Sequence, residues 1–354
     1  MNTQDLIKNL ENNIQYKFKK IEILYKQRCK TNNKYLNDCL NLGVKNDEDN
    51  SILNQALSDA ILNSMASLID YYCICCMLKI GAAEDKVRKI QYRSSSNSFL
   101  IDKSSLSKPE KLTATIDTLR SDLRAKLSVF PNIESVNVND YWTAFLGDAI
   151  SYTLKEYGVL ESSAFKFKIS EKKGQLEIDS RVKQYFYYME PLFCNAAIQL
   201  GLKYSIYIDI NNFLKHNAVP FLSPQIDTFG AEQRIYSYFE IKSAQSAFLK
   251  DGILKDLVVL SFDEVKSELE IKQSNEDDYD LCQLEEKWGL GAILTIDRTN
   301  GFISSNKEFL HFYIGGILIA KSEHALLIEA DECLWAAILD LHRELLPRLK
   351  YNFN

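Results

Sequence analysis

The chain has 354 residues, 46% hydrophobic and 25% charged, with 42 Lys+Arg against 48 Asp+Glu for a net charge of -6. This excludes disorder as the dominant state and supports about two core-forming units at roughly 150 residues each. The acidic balance argues against a surface that is basic all over for DNA or RNA but leaves room for a local basic groove, and 13 Gly with 6 Pro are too few for a collagen-like or loop-dominated chain.

The opening MNTQDLIKNLENN lacks a basic stretch followed by an apolar one, so no secretory signal is read and a cytoplasmic protein is expected. From Asp5 to Cys29, Ile7, Leu10, Ile14, Phe18, Ile21 and Tyr25 fall three and four apart, the mark of one buried helical stripe. It packs either within the chain, the favoured reading, or on a second copy. Lys17, Lys19 and Lys20 then form the polar side of that helix before they are phosphate contacts.

After the Asn- and Asp-rich break at Gly43–Asn50, Ile52–Ile80 reads as a central helix, apolar on more than one side. Its most apolar run, Met65–Leu78, is interrupted by Asp70 and falls short of the roughly 18 to 20 residues of a membrane span, so no membrane is expected. Eight cysteines occur at 29, 39, 73, 75, 76, 194, 282 and 333. Cys73 and Cys76 form a C-x-x-C, but no second pair or nearby His follows, and cysteine in YYCICCMLK reads as a small core hydrophobe.

A Ser-rich loop at 94–98 precedes Ser107-Lys-Pro-Glu110, a capping box that opens a helix to about Leu127; Asn139 and Asp140 cap another that ends before Gly158. The period then changes to two. Phe165, Phe167 and Ile169 alternate with Lys166 and Lys168, and Leu176 and Ile178 follow after EKKG, a hairpin pattern that also alternates rings with cations. Ser180 caps a helix through the aromatic cluster Tyr185–Tyr188, Leu192–Leu202 is helical, and 203–217 leans to helix despite its β-branched residues.

From Arg234 onward, strand-like runs recur in RIYSYFEIK, LKDLVVLSF, AILTIDR, EFLHFYIGGILIA and HALLIEA, with a turn signal at Thr299-Asn-Gly301. Gly315-Gly316, inside one such run, reads as a bulge or close packing. The acidic stretch 275–280 is a solvated loop, and the chain closes on a helix with Leu334, Trp335, Ile338, Leu341, Leu345 and Leu349 on one stripe. The expected fold is therefore α+β, with a helical domain over 1–160 and, over 161–354, a mostly antiparallel sheet covered by the C-terminal helix.

Chemistry is sparsely marked. Histidines at 216, 311, 324 and 342 are too scattered for a zinc or catalytic-triad spacing, and no Gly-rich phosphate loop or nucleophile elbow occurs. Asp227 precedes a strand in which Glu240 and Lys242 are two apart and so share a face. Two converging carboxylates would hold Mg²⁺, with the lysine stabilising phosphoryl charge. Over about sixteen residues this resembles the PD-(D/E)xK nucleases, which implies catalysis by Asp227, Glu240 and Lys242 and a metal on Asp227 and Glu240. It departs from them in having Ile226 before the aspartate. Glu270 with Lys272, and Asp263 with Lys266, fit the spacing almost as well, and all three sets describe solvated strand faces equally.

The segment Asn211-Asn-Phe-Leu-Lys-His-Asn217 is similar to the terminal helix of HEPN-type bundles, a family of ribonucleases and non-catalytic relatives in bacterial defence and toxin systems. Their ribonucleases place four to six residues between an Arg and a following His; counting back from His216 gives Asp209, Ile210 and Asn211. The catalytic pair is absent, so the resemblance implies a non-catalytic variant that binds through Asn212, Lys215, His216 and Asn217. The expected function is a binding protein of a defence or toxin-associated assembly, with a protein partner or a second copy, or nucleic acid. A Mg²⁺-dependent nuclease is the alternative.

Overall fold

The computed structural model describes residues 2–42, 48–87, 184, 187–188, 205–216, 221–229, 232–249, 253–267, 293–297, 309–314 and 317–351. The chain forms two compact units, each from discontinuous segments: the first from Met1–Tyr16, Ser67–Ser205 and Leu341–Asn354, the second from Lys17–Ala66 and Ile206–Asp340. The boundary expected near 160, the helices expected at 107–127 and 139–158, the hairpin at 165–178, the helix at 192–202 and the turn at 299–301 lie outside the described residues.

Helix α1 (Thr3–Leu42) runs thirteen residues past the expected end at Cys29. Of the stripe, Ile7, Ile14, Phe18 and Ile21 are buried within the chain while Leu10 and Tyr25 are half-exposed, and the seven-residue step from Ile7 continues through Arg28 to Tyr35. Helix α2 (Glu48–Lys79) buries Asn54, Ile61, Leu68 and Cys75 at the same step, with Ser58, Met65 and Tyr72 four residues after the first three. By length and composition α2 is apolar enough to cross a membrane, but two-thirds (67%) of its apolar window is buried inside the protein, as in a core helix.

Gly81, at φ +89°, ends α2: its N–H and that of Ala82 bond back to the carbonyls of Leu78 and Met77, both at 3.0 Å. This pairing needs a left-handed residue, which glycine adopts without a Cβ clash. The short α3 (Glu84–Val87) follows. Cys73, Cys75 and Cys76 are fully buried, and no disulfide joins the described cysteines. Burial pushes the Cys75 thiol up to about 12 and Cys76 well above the ordinary thiol range, so these sulfurs act as the small hydrophobes the sequence suggested.

In the second unit, α4 (Ser205–His216) buries Tyr207, Ile210 and Phe213, so the helix reading of 203–217 holds across its described part. A six-stranded sheet follows, ordered β1-β2-β6-β5-β4-β3 with every neighbouring pair antiparallel: β1 (Phe221–Phe229), β2 (Glu232–Lys242), β3 (Ile293–Asp297), β4 (Phe309–Ile314), β5 (Ile317–Lys321) and β6 (Ala325–Glu329). Strand β1 lies before the expected strand runs; it carries Pro224, and as an edge strand it tolerates a residue with no donor.

The apolar run from Phe309 is two strands, since Ile314 lies opposite Ile317 in an antiparallel pair. Gly-Gly between alternating apolar runs is a hairpin signal, although Gly315 and Gly316 themselves lie outside the described residues. The run at 254–262 is not a strand. After a 3₁₀ turn at Ser243–Phe248 it forms α5 (Ile253–Val259), whose Leu254, Leu257 and Val258 are buried three and four apart, the helical period.

Lys321 on β5, 1% exposed, ties α5 to the sheet by donating to the Val258 carbonyl (2.8 Å) and Ser243 Oγ (3.3 Å). Helix α6 (Ala330–Asp340) packs on β2, β5 and β6 with Leu334, Ala337 and Ile338 buried, so a C-terminal helix does cover the sheet, but only this part of the expected stripe does so: Trp335 is exposed, and Leu341, Leu345 and Leu349 belong to the first unit. A π-helical turn (Leu341–Leu345) and α7 (Leu346–Leu349) continue it.

The second unit's helices and sheet are joined by one buried cation. Arg28, 0% exposed, donates from Nε to Ser58 Oγ on α2 (2.7 Å), from Nη2 to Ser237 Oγ on β2 (3.1 Å) and from Nη1 to the Asp331 carboxylate at the start of α6. Asn32 donates to the other Asp331 oxygen (2.8 Å) and accepts from Asn54 (2.7 Å), and Ser58 donates to the Asn54 carbonyl (2.9 Å). Burial works against the guanidinium charge, and Glu329 is the first influence that restores it.

Breaking a buried pair strands a charge and costs about 3–5 kcal/mol, whereas an apolar replacement of both members is close to neutral. Arg28→Ala or Asp331→Ala is therefore expected to lower unfolding free energy in urea by about that amount. Arg28→Met combined with Asp331→Leu should recover most of the loss. In thiol labelling of the native protein, half-exposed Cys29 should react before Cys73, Cys75, Cys76 and Cys333, which should react only on unfolding.

Candidate functional site

The strand register separates the expected nuclease residues. Asp227 lies opposite Arg234, while Glu240 lies opposite Phe221, six positions away along the β1–β2 ladder. At about 3.4 Å per residue the two positions are roughly 20 Å apart, which two carboxylates on one Mg²⁺ do not span. A short connection does separate Asp227 from β2, but Asp227 is itself an internal position of β1, so the pairing of the two strands sets its distance from Glu240. Glu240 and Lys242 do share a face two residues apart, half-exposed and exposed respectively. Among the described residues no three His, Cys, Asp or Glu side chains cluster as metal ligands.

Of the residues read from the HEPN-like segment, Asn212 is half-exposed on α4 and Lys215 is exposed one turn on. His216 is the last residue of α4, and Asn217 lies outside the described residues. Lys215 comes near the basic side of α1: desolvation lowers the Lys17 pKa, and the charges of Lys20 and Lys215 lower it further. Lys20 on α1 and Lys215 on α4 thus lie near enough for their charges to act on Lys17.

Two surfaces were not legible as sites. In the second unit, the Tyr25 and Trp335 rings stack at 5.5 Å and 24°, linking α1 to α6 beside the Arg28–Asp331 pair. Trp335 is 47% exposed although it lies on the stripe expected to be buried, and the Asp331 side chain is 33% exposed. Burial, followed by the neighbouring Cys29 with its hydrogen bond, raises the Tyr25 hydroxyl well above its usual range.

In the first unit a groove of about 750 Å³ is lined by Asp5, Lys8 and Glu11 from α1, Lys79 and Ile80 at the end of α2, and Tyr188 and Tyr351, with Gln4, Ile7 and Gln184 completing it. Its walls are held by bonds among themselves. Lys79 pairs with Glu11 at 2.6 Å and donates to the Leu349 carbonyl; Tyr72 donates to the Tyr188 carbonyl (2.8 Å), and Tyr188 to that of Tyr351 (3.2 Å). Arg348 lies 4.6 Å over the Tyr187 ring and donates to the Tyr187 carbonyl, while the Tyr187 ring is 5.1 Å from Tyr351 and 5.5 Å from Tyr188. Volume, mixed charge, aromatic rings and exposed amide groups suit a ligand pocket that exists before anything binds. The one sequence cue was the tyrosine cluster at 185–188, whose partners lie far away along the chain.

Because Asp227 and Glu240 are apart, Glu240→Ala is expected to leave any divalent-dependent cleavage by the purified chain unchanged, as followed on a fluorescent DNA or RNA substrate. No family model, curated protein or solved structure matches this chain.

Proposed function

We propose that the chain is a binding protein that receives a segment of a protein partner in the first unit's groove. The groove itself carries this reading: about 750 Å³ falls within the range of small-ligand and side-chain pockets, and its walls offer both charge signs, two tyrosines and two glutamines. A polypeptide presents the matching mixture of apolar, cationic, anionic and amide groups. The resemblance of 211–217 to HEPN bundles, without their Arg–His pair, supports a non-catalytic part in a bacterial defence or toxin-associated assembly.

The convergence of Lys17, Lys20 and Lys215 favours a second reading, in which nucleic acid is bound on the second unit. Three cations crowd one another there, and a phosphate backbone relieves that repulsion.

One experiment separates the two. A photo-cross-linking residue is placed at Lys8, Tyr351 or Lys215, with exposed Lys30 as the control, in cells of the organism that encodes the chain. The groove reading expects the same protein adduct from positions 8 and 351 and none from 30. The second reading expects a nuclease-sensitive adduct from 215. Adducts from 8 and 351 no stronger than from the control sink the first reading.

A further inference from the structure

We propose that the Trp335–Tyr25 stack and the Asp331 carboxylate form a receptor for an arginine side chain of a partner protein. The site lies on the second unit and stands independently of the groove.

Three observations carry it. Trp335 projects from α6 with 47% of its surface in water, while Leu334, Ala337 and Ile338 of the same helix are buried. Stacking on Tyr25 at 5.5 Å holds the indole in place, so it is presented as an ordered surface. One helical turn before it, at the i−4 position where side chains are neighbours, Asp331 is one-third exposed. Its carboxylate is already oriented, by Arg28 on one oxygen and Asn32 on the other. A carboxylate oxygen accepts more than one hydrogen bond, so a one-third exposed carboxylate that accepts one bond on each oxygen retains acceptor capacity.

An indole face and a fixed carboxylate about one helical turn apart match a guanidinium in particular. The planar cation stacks on the ring while its N–H groups reach the acid, and it is more weakly hydrated than an ammonium. Asp331 repels phosphate, which disfavours nucleic acid at this position, and the chain's net charge of -6 attracts a basic segment over longer range. The buried Arg28 fills the inner side of the carboxylate, leaving the outer side for a second cation.

The full chain would be titrated calorimetrically with a short arginine-rich peptide, its lysine counterpart and a single-stranded oligonucleotide. Saturable binding of the arginine peptide is expected, with the lysine peptide several-fold weaker. Trp335→Leu should weaken the arginine peptide about tenfold, since a cation–π contact on a half-exposed ring falls between the exposed and the desolvated cases. Asp331→Asn should weaken it as well; because that change also disturbs Arg28, Trp335→Leu is the deciding variant. Equal binding of the arginine peptide by the parent and Trp335→Leu, no saturable binding by the parent, or an oligonucleotide that displaces the peptide from the parent but not from Trp335→Leu, would each overturn the proposal.

Discussion

A guanidinium sealed from water is the constraint on which the second unit depends. Arg28 occupies a step in an otherwise apolar helical seam, where an isoleucine would follow Ile7, Ile14 and Ile21. Placing a charge there costs several kcal/mol unless every donor finds an acceptor. Its acceptors come from three directions: Ser58 on α2, Ser237 on β2 and Asp331 on α6. An apolar seam tolerates slippage by a turn; this one does not, because any other register leaves Arg28 without its carboxylate. The network therefore contributes specificity of arrangement more than net stability, the role best attested for polar groups at seam positions.

The same device shapes the surface. Asp331 must reach inward to Arg28 and Asn32, which fixes the first turn of α6 against α1. Trp335, one turn further on, is then set beside Tyr25. An exposed aromatic pair and a half-exposed acid are consequences of a buried ion pair beneath them. In the first unit the wall-to-wall bonds of Lys79, Tyr72 and Tyr188 have the equivalent effect, keeping a groove open by satisfying the backbone and side-chain groups that line it.

The α+β class was legible because periodicity is a local property. Ile7 to Tyr25 and Ile52 to Ile80 announce helices, and β2, β3 and β6 alternate or run apolar as strands do. The failures were local ambiguities too. Arg28 interrupts the apolar stripe, which hid the continuation of α1 to Leu42. Leu254, Leu257 and Val258 lie among β-branched residues, and only burial reveals the helical spacing. Sites were harder because they are non-local. Asp227 and Glu240 looked close when loop length alone was considered, but the β1–β2 register is set by pairing along nine residues, and it keeps them apart. The groove draws on residues near 4–11, 79–80, 184–188 and 351, and no spacing rule connects those stretches.

The 303-residue separation of Arg28 and Asp331 bears on how the chain is made. At roughly 5–20 residues per second, a ribosome that has synthesised α1 takes on the order of 15–60 s more to deliver the carboxylate that completes its charge pair. Throughout that interval the guanidinium stays hydrated, so the apolar residues on either side of it have no finished surface to close upon. They are candidates for protection by a chaperone during translation, and the second unit cannot lock until Asp331 has emerged.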